Sequence, residues 1–351
     1  MNQPPVIPHS RPSLGEAEAQ AVADVVRTGL IAQGEKVLEF ERALAKMTGQ
    51  DQGVAESSGT AAVFLALKGL GIGPGDEVIF PSYVCTAPWH AVSQAGAAPV
   101  LVDIHPETYH PSPGAVTRAI TSKTKAVIVP HLFGLPADLS ELEKLGIPII
   151  EDCAQTLGAS MGGRPVGSVG ALTVCSFYAT KLITTGEGGM VLGRSGPRMA
   201  RIRALRQYDE QDALESAFNY KMTDMQAALG LCQLKALPQF ITRRQAIAAQ
   251  YTAVLRDLKA APPAGIPGWD HLYYRYVVRL SHSVNSAIKA FAELGVTCRR
   301  PIFKPIHSYL GLPGFSGTDL AWERSLSIPI YPSLADHEVE RVIDAMRAVL
   351  A

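Results

Sequence analysis

The stretch Ile149–Ala159, IIEDCAQTLGA, decides the fold. Two isoleucines run straight into Glu151 and Asp152, so a short apolar strand ends on a pair of carboxylates. In an open α/β sheet, ligands bind outside the carboxyl ends of the parallel strands, which is where such a pair would stand. The segment also reads as a strand followed by a helix-capping Asp, since Asp is a favoured cap.

Upstream, Ala126–Pro130 and Pro148–Glu151 read as strands on either side of a helix over Leu139–Leu145. Glu77–Phe80 and Val100–Asp103 read as strands flanking a helix that ends over Ala91–Gly96. Ala61–Leu70 is a helix entered from the small polar turn Ser57-Ser58-Gly59-Thr60, and Leu14–Gly29 a helix opened by Ser13 and closed by Gly29. This alternation predicts a mostly parallel sheet with helices on both faces. Met190–Leu192 adds a strand downstream. Beyond Met222 the pattern turns helical, over Met222–Leu237 and Arg243–Leu258, and a break rich in proline and glycine follows at Ala261–Trp269. Strand-like Tyr273–Leu280, a helix near Val284–Leu294 and a last helix from Asp336 predict a smaller α+β domain. The expected division is 1–240 for the large domain and 241–351 for the small one.

The chain has 351 residues, 47% of them apolar, which is enough for a sizeable core and a second smaller one. Lys+Arg and Asp+Glu balance at 32 each, so no basic field points to nucleic acid or an anionic membrane. No run approaches the roughly 18 apolar residues of a membrane span. The opening MNQPPVIPHSRP lacks an apolar signal core. Cys85, Cys153, Cys175, Cys232 and Cys298 form no CxxC pair and read as reduced, mostly buried thiols. A cytoplasmic protein without metal is expected.

Two further segments carry chemistry. In Ser176–Val191, SFYATKLITTGEGGMV, Lys181 lies among serine, threonine and tyrosine between apolar strands, ahead of a glycine-rich turn. A partly desolvated lysine has a lowered pKa and becomes a usable nucleophile and proton carrier, whereas a solvated loop lysine is only a surface charge. In Ala55–Leu70, AESSGTAAVFLALKGL, small residues feed a helix N-terminus, where free N–H groups and the helix dipole favour a phosphate.

Together these segments resemble the DegT/DnrJ/EryC1/StrS family of sugar aminotransferases that use pyridoxal 5′-phosphate (PLP). The resemblance runs in order from about Ser10 to Pro332, on SGTAA, GDEVIFPSY, GAAPVLVDI, EDCAQTLGA, SFYATK, GEGGMV, NYKMTDMQAALGL and SLSIPIYP. It implies the aspartate-aminotransferase-like PLP fold type I. It makes Lys181 the Schiff-base lysine and proton carrier, Asp152 the partner of the pyridinium nitrogen, and Gln155 that of the phenolic oxygen. Ala154 would lie flat against the ring, and Ser58, Gly59, Thr60 and Ser176 would surround the phosphate. Asn219 would reach the neighbouring subunit's phosphate, which makes the enzyme a homodimer with shared active sites.

Some positions depart from the family. Cys85 stands where an aromatic usually stacks on the ring, and can pack there as a soft apolar contact. Lys221 replaces an arginine, exchanging a bidentate carboxylate binder for a point charge. His307 matches a position near the substrate opening. His131 lies just past a strand end, as a pocket residue or a hydrogen-bonded structural one.

The implied reaction is ping-pong transamination. An amino acid, L-glutamate, leaves its amino group as pyridoxamine 5′-phosphate, and a nucleotide-linked keto sugar takes it. A keto cyclitol acceptor stays within this chemistry. A PLP-dependent sugar dehydratase or lyase is disfavoured, because such relatives carry histidine in place of the lysine. A non-catalytic PLP-binding protein is the remaining alternative.

Overall fold

The computed structural model describes residues 5–194, 196–209, 217–258 and 260–351. Its centre is a seven-stranded sheet of β1 (Gln52–Glu56), β2 (Glu77–Pro81), β3 (Ala98–Val102), β4 (Thr124–Pro130), β5 (Ile149–Asp152), β8 (Leu172–Ser176) and β9 (Gly189–Gly193). Between β5 and β8 lies a two-stranded ribbon, β6 (Ser160–Met161) and β7 (Arg164–Pro165). The sheet order is β1-β9-β8-β5-β4-β2-β3, and β9 alone runs against the other six. This is the α/β fold expected from the alternation of elements.

Both faces of the sheet are buried, which explains why its strands read as nearly continuous apolar runs. Alternate residues go to opposite sides. Val54, Val174 and Val191 join the helix Gly59–Gly69 in one cluster, while Ala55, Cys175, Met190 and Leu192 join the helix Glu35–Thr48 in another. All five cysteines are free, with Cys153, Cys175 and Cys298 buried. Among the described residues, no helix is long and apolar enough to cross a membrane.

The C-terminal part has its own core around the antiparallel pair β10 (Tyr276–Arg279) and β11 (Ser325–Ile328), with helices Val284–Glu293 and Asp336–Leu350. The helical pattern read over Met222–Leu237 and Arg243–Leu258 is one unbroken helix, Asp224–Asp257, with Pro238 inside it. Thr223 and Gln226 open it as a reciprocal capping box. Its first half packs Ala227 and Leu237 into the large core, and its second half packs Ile247, Tyr251 and Leu255 into the small one. A division near residue 240 would therefore fall within this helix. The N-terminal segment also belongs to the small core: Ile7 is buried there, bridged to Val296, far from it in sequence.

The first helix starts at Glu16 rather than Leu14, and Gly15 is its cap residue. Glu18 accepts the Gly15 N–H at 2.9 Å, whereas Ser13 turns to other elements, its Oγ accepting from Ser333 and its carbonyl from Gln233.

Two buried histidines set an acid limit on this fold. His9 and His110 are both held down to about 3, by burial first and then by neighbouring Arg275 and Arg299 for His9, and His131 for His110. Both are neutral in the fold but take up protons near 6.5 when unfolded. Their stability is therefore full above 6.5 and is lost as pH falls toward 3. Each is expected to cost about 2 kcal/mol at about pH 5 relative to neutral pH. A urea midpoint that falls over that interval checks this, and one that stays level contradicts it.

Candidate active site

Because six strands run the same way, β1, β2, β5 and β8 all end at one edge of the sheet, and β9 begins there. The segments that leave this edge enclose a cavity of about 370 Å³. Ser58, Gly59 and Thr60 come from the end of β1, Cys85 from β2, Asp152, Ala154 and Gln155 from β5, and Ser176 and Lys181 from β8. Residues spread over a third of the chain thus meet in one cavity.

The helix Gly59–Gly69 points its N-terminus into this cavity. Ser58 Oγ accepts the Ala61 N–H at 3.1 Å, and no partner takes the Gly59 or Thr60 N–H among the described residues. Two free donors at the positive end of a helix dipole form an anion cradle. The backbone gets there only because it carries no side chains: a Cβ on Gly59 would lie 2.7 Å from Ser176 Cβ, and one on Gly189 would collide with the Ser58 carbonyl. Gly189→Ala is expected to destabilise the fold by about 1–3 kcal/mol and to weaken binding of a phosphate-bearing cofactor roughly tenfold or more. PLP titration and urea unfolding of the variant check this, and an unchanged PLP affinity contradicts it.

Asp152 lies half-buried among these elements, with Oδ1 accepting the Ala154 N–H at 3.0 Å. Burial raises its carboxyl above the ordinary range, against the pull of the Lys181 charge and the Ala154 bond. Gln155 is oriented by its neighbour. The Phe133 N–H donates to Gln155 Oε1 at 2.7 Å, so the oxygen faces that donor and Nε2 is left to donate elsewhere.

The lining fits PLP, an anionic pyridine with a phosphate, a phenolic oxygen and an aldehyde. The paired N–H groups suit the phosphate, the Asp152 carboxylate a protonated ring nitrogen, the Gln155 amide an oxyanion, and Lys181 Nζ the aldehyde.

Two residues that sequence reading missed complete the wall. Tyr274 is 7% exposed, and Lys181 Nζ lies 5.5 Å from its ring centroid. Burial would raise the phenol, but the charges of Lys181 and Arg275, a hydrogen bond with Thr180 and the charge of Arg244 bring it down to about 8. Arg275 lines the same cavity, its Cζ 5.2 Å from the same centroid. Both arrive on the segment before β10, which docks against a turn after β4: the Leu272 N–H donates to the Gly134 carbonyl at 2.8 Å. Gly134 has φ of 96°, and a Cβ there would lie 2.7 Å from the Tyr273 and Tyr274 nitrogens.

Other expected site residues lie outside this cavity. His131 and Glu151 are both fully buried behind it. Nδ1 of His131 accepts the Ala137 N–H at 2.8 Å, so Nε2 donates to Glu151 at 3.1 Å. Glu151 further accepts N–H bonds from Gly167, Val169 and Gly170. Burial pushes its carboxyl up, but the His131 interaction first, and then the Gly170 and Gly167 N–H bonds, hold it low. With Cys153 these two side chains form a tight group of possible metal donors, but their ring and carboxylate atoms are already committed to each other and to the backbone. His307 is buried, with Nδ1 2.8 Å from Ser82 Oγ and Nε2 3.0 Å from Asp319. Asn219 is exposed, its Oδ1 accepting the Lys221 N–H at 3.2 Å. Lys221 itself is bridged through its backbone to Glu56.

A family model, the DegT/DnrJ/EryC1/StrS aminotransferase family, matches residues 12–347. Among solved structures, the chain is similar to Spr1654 of Streptococcus pneumoniae in its PMP form, with 30% identity, a TM-score of 0.93 and 98% of each chain covered. The same protein in its PLP form matches with a TM-score of 0.92. The aminotransferase TlmJ of Streptoalloteichus hindustanus is 34% identical, with a TM-score of 0.92 over 98% of each chain. DesV of S. venezuelae is 33% identical, with a TM-score of 0.91 over 99% of each. Since the family model spans nearly the whole chain, this chain belongs to the DegT/DnrJ/EryC1/StrS aminotransferase family and is an enzyme whose cofactor is PLP.

Proposed function

We propose that the enzyme moves the amino group of an amino acid, L-glutamate, onto a nucleotide-linked keto sugar. The observation that carries this reading is the convergence of Lys181, Asp152, Gln155 and the Gly59–Thr60 helix end on one cavity. The sugar acceptor follows from the motif resemblance along nearly the whole sequence.

PLP, when bound, supplies a ring that draws electrons away from the substrate carbon. The protein's residues do the rest. Gly59 and Thr60 N–H and the Ser176 hydroxyl bind the phosphate. The Asp152 carboxylate holds a proton at the ring nitrogen, and Gln155 Nε2 donates to the phenolic oxygen. Ala154 is small enough to leave the ring face clear, and Cys85 adds a soft contact at the wall. Lys181 Nζ holds the aldehyde between turnovers and moves a proton at the donor's Cα, then at the acceptor carbon. Asn219 stands exposed outside its own chain's cavity, which suits a reach into the partner subunit and a homodimer with shared sites. Lys221 and His307 serve the substrate side in this scheme, Lys221 from across the same interface and His307 by fixing the Ser82 turn that leads to Cys85.

The test is incubation with PLP, L-glutamate and a panel of nucleotide-linked keto sugars and a keto cyclitol, with mass analysis of products. An amino sugar formed together with 2-oxoglutarate is expected. A deoxygenated sugar without amine would point to the lyase, an aminocyclitol alone would replace the sugar acceptor, and no turnover would point to a passive PLP-binding protein.

A further inference from the structure

The cavity wall carries one cation that the roles above leave unused. Arg275 lies beside Lys181, and both cations approach the ring of Tyr274, at 5.2 and 5.5 Å from its centroid. Among the described residues, Asp152 and Glu187 are the acids of this wall, and neither pairs with Arg275. Its polar side-chain neighbour is His9, whose ring nitrogens lie 3.2 Å from Nη1. That imidazole is held neutral, down to about 3, by burial and by the charges of Arg275 and Arg299. The adjacent guanidinium of Arg244 is different. It is buried and donates to the carbonyls of Tyr273, Tyr274 and Ile330, so it is spent on the fold.

We propose that Arg275 binds a carboxylate of the amino donor while the donor's amine meets Lys181. The proposal rests on the aminotransfer reading above. Its chemistry follows from the side chain: a planar guanidinium offers two parallel N–H donors that match a carboxylate. A half-buried cation without an acid partner is also costly to keep unless a ligand supplies the anion. The point charge of Lys221 lacks that fork and does not line this chain's cavity.

A phosphate of the nucleotide sugar has similar chemistry, and the test separates the two. Glutarate, an unreactive dicarboxylate, is titrated by calorimetry into the PLP-loaded wild type, Arg275→Met and Arg275→Lys. Loss of a charge-assisted pair is expected to weaken glutarate roughly ten- to a hundredfold in Arg275→Met, with partial recovery in Arg275→Lys. Affinity for PLP and for the nucleotide sugar should change less than about twofold, below the effect of one neutral hydrogen bond. In steady state, KM for glutamate should rise while KM for the acceptor holds. Unchanged glutarate binding overturns the proposal, as does a loss confined to the nucleotide sugar. If Arg275→Met fails to fold, the lysine variant carries the same comparison with a smaller expected loss. Failure of the aminotransfer reading shows earlier and separately, as a wild type that responds to no amino donor.

Discussion

Replacing Lys181 by alanine is expected to lower transamination by a factor on the order of 10⁴ or more, because in the proposed mechanism one change removes both the covalent anchor and the proton carrier. The fold should tolerate it. The Lys181 backbone N–H donates to the Tyr178 carbonyl at 2.8 Å, a bond that alanine keeps. What the side chain gives up is a contact with the Tyr274 ring and a charge near Asp152. The variant should still bind PLP through the phosphate cradle, with weaker affinity, but without the absorbance of a covalent adduct. Removing that charge should also let the Tyr274 phenol rise above about 8 in the cofactor-free protein. Stopped-flow absorbance with excess glutamate and an ultraviolet titration of tyrosinate measure these two effects. A variant that keeps wild-type turnover contradicts the assignment of Lys181.

Asp152→Asn separates activity from stability. The asparagine oxygen can still accept the Ala154 N–H, and the backbone bond from the His131 N–H to the Asp152 carbonyl at 3.0 Å is untouched. The lost feature is the negative charge, which in the proposed mechanism holds a proton at the ring nitrogen. A charge of that kind in a preorganised site contributes on the order of 10³ in rate. The stability effect has the opposite sign. Burial raises the Asp152 carboxyl, so the ionised form opposes folding at neutral pH, and the neutral amide relieves that cost. Cofactor-free Asp152→Asn should therefore unfold at the same or a higher temperature than wild type while losing nearly all activity. A large drop in melting temperature would show that Asp152 is chiefly structural.

How much of this was legible in the sequence differs from residue to residue. Asp152 and Gln155 stand out because a short apolar strand ends abruptly on polar residues, and the sheet puts that end at the cavity. Ser58, Gly59 and Thr60 show as small residues ahead of an apolar helix, and Lys181 as a lysine between strands ahead of a glycine turn. Each is a local signal, and one sheet edge brings them together because the strands are parallel. Tyr274 and Arg275 have no such signal. They look like ordinary residues before a strand, and only the return of the C-terminal segment onto the turn at Phe133 and Gly134 carries them to Lys181. A close look at the run Tyr273-Tyr274-Arg275 would have found a cation in an aromatic setting, but not its position.

The histidines are legible only in part, for another reason. His131 and His307 have the composition of site residues, yet their ring nitrogens already serve Ala137 and Glu151, and Ser82 and Asp319. A sequence shows that a donor exists and not whether it is taken. The long helix gives a similar lesson: its helical pattern is legible on both sides of residue 240, but that one helix packs against two cores in succession is not.

The measurement that bears most directly on the whole account is borohydride reduction of the PLP-loaded protein, followed by peptide mapping. Reduction fixes a cofactor–lysine bond permanently at whichever lysine bears it. The account predicts a single pyridoxyl group on Lys181, absent when glutamate is added before the borohydride. A label on another lysine, or a protein that carries none after incubation with PLP, would contradict it.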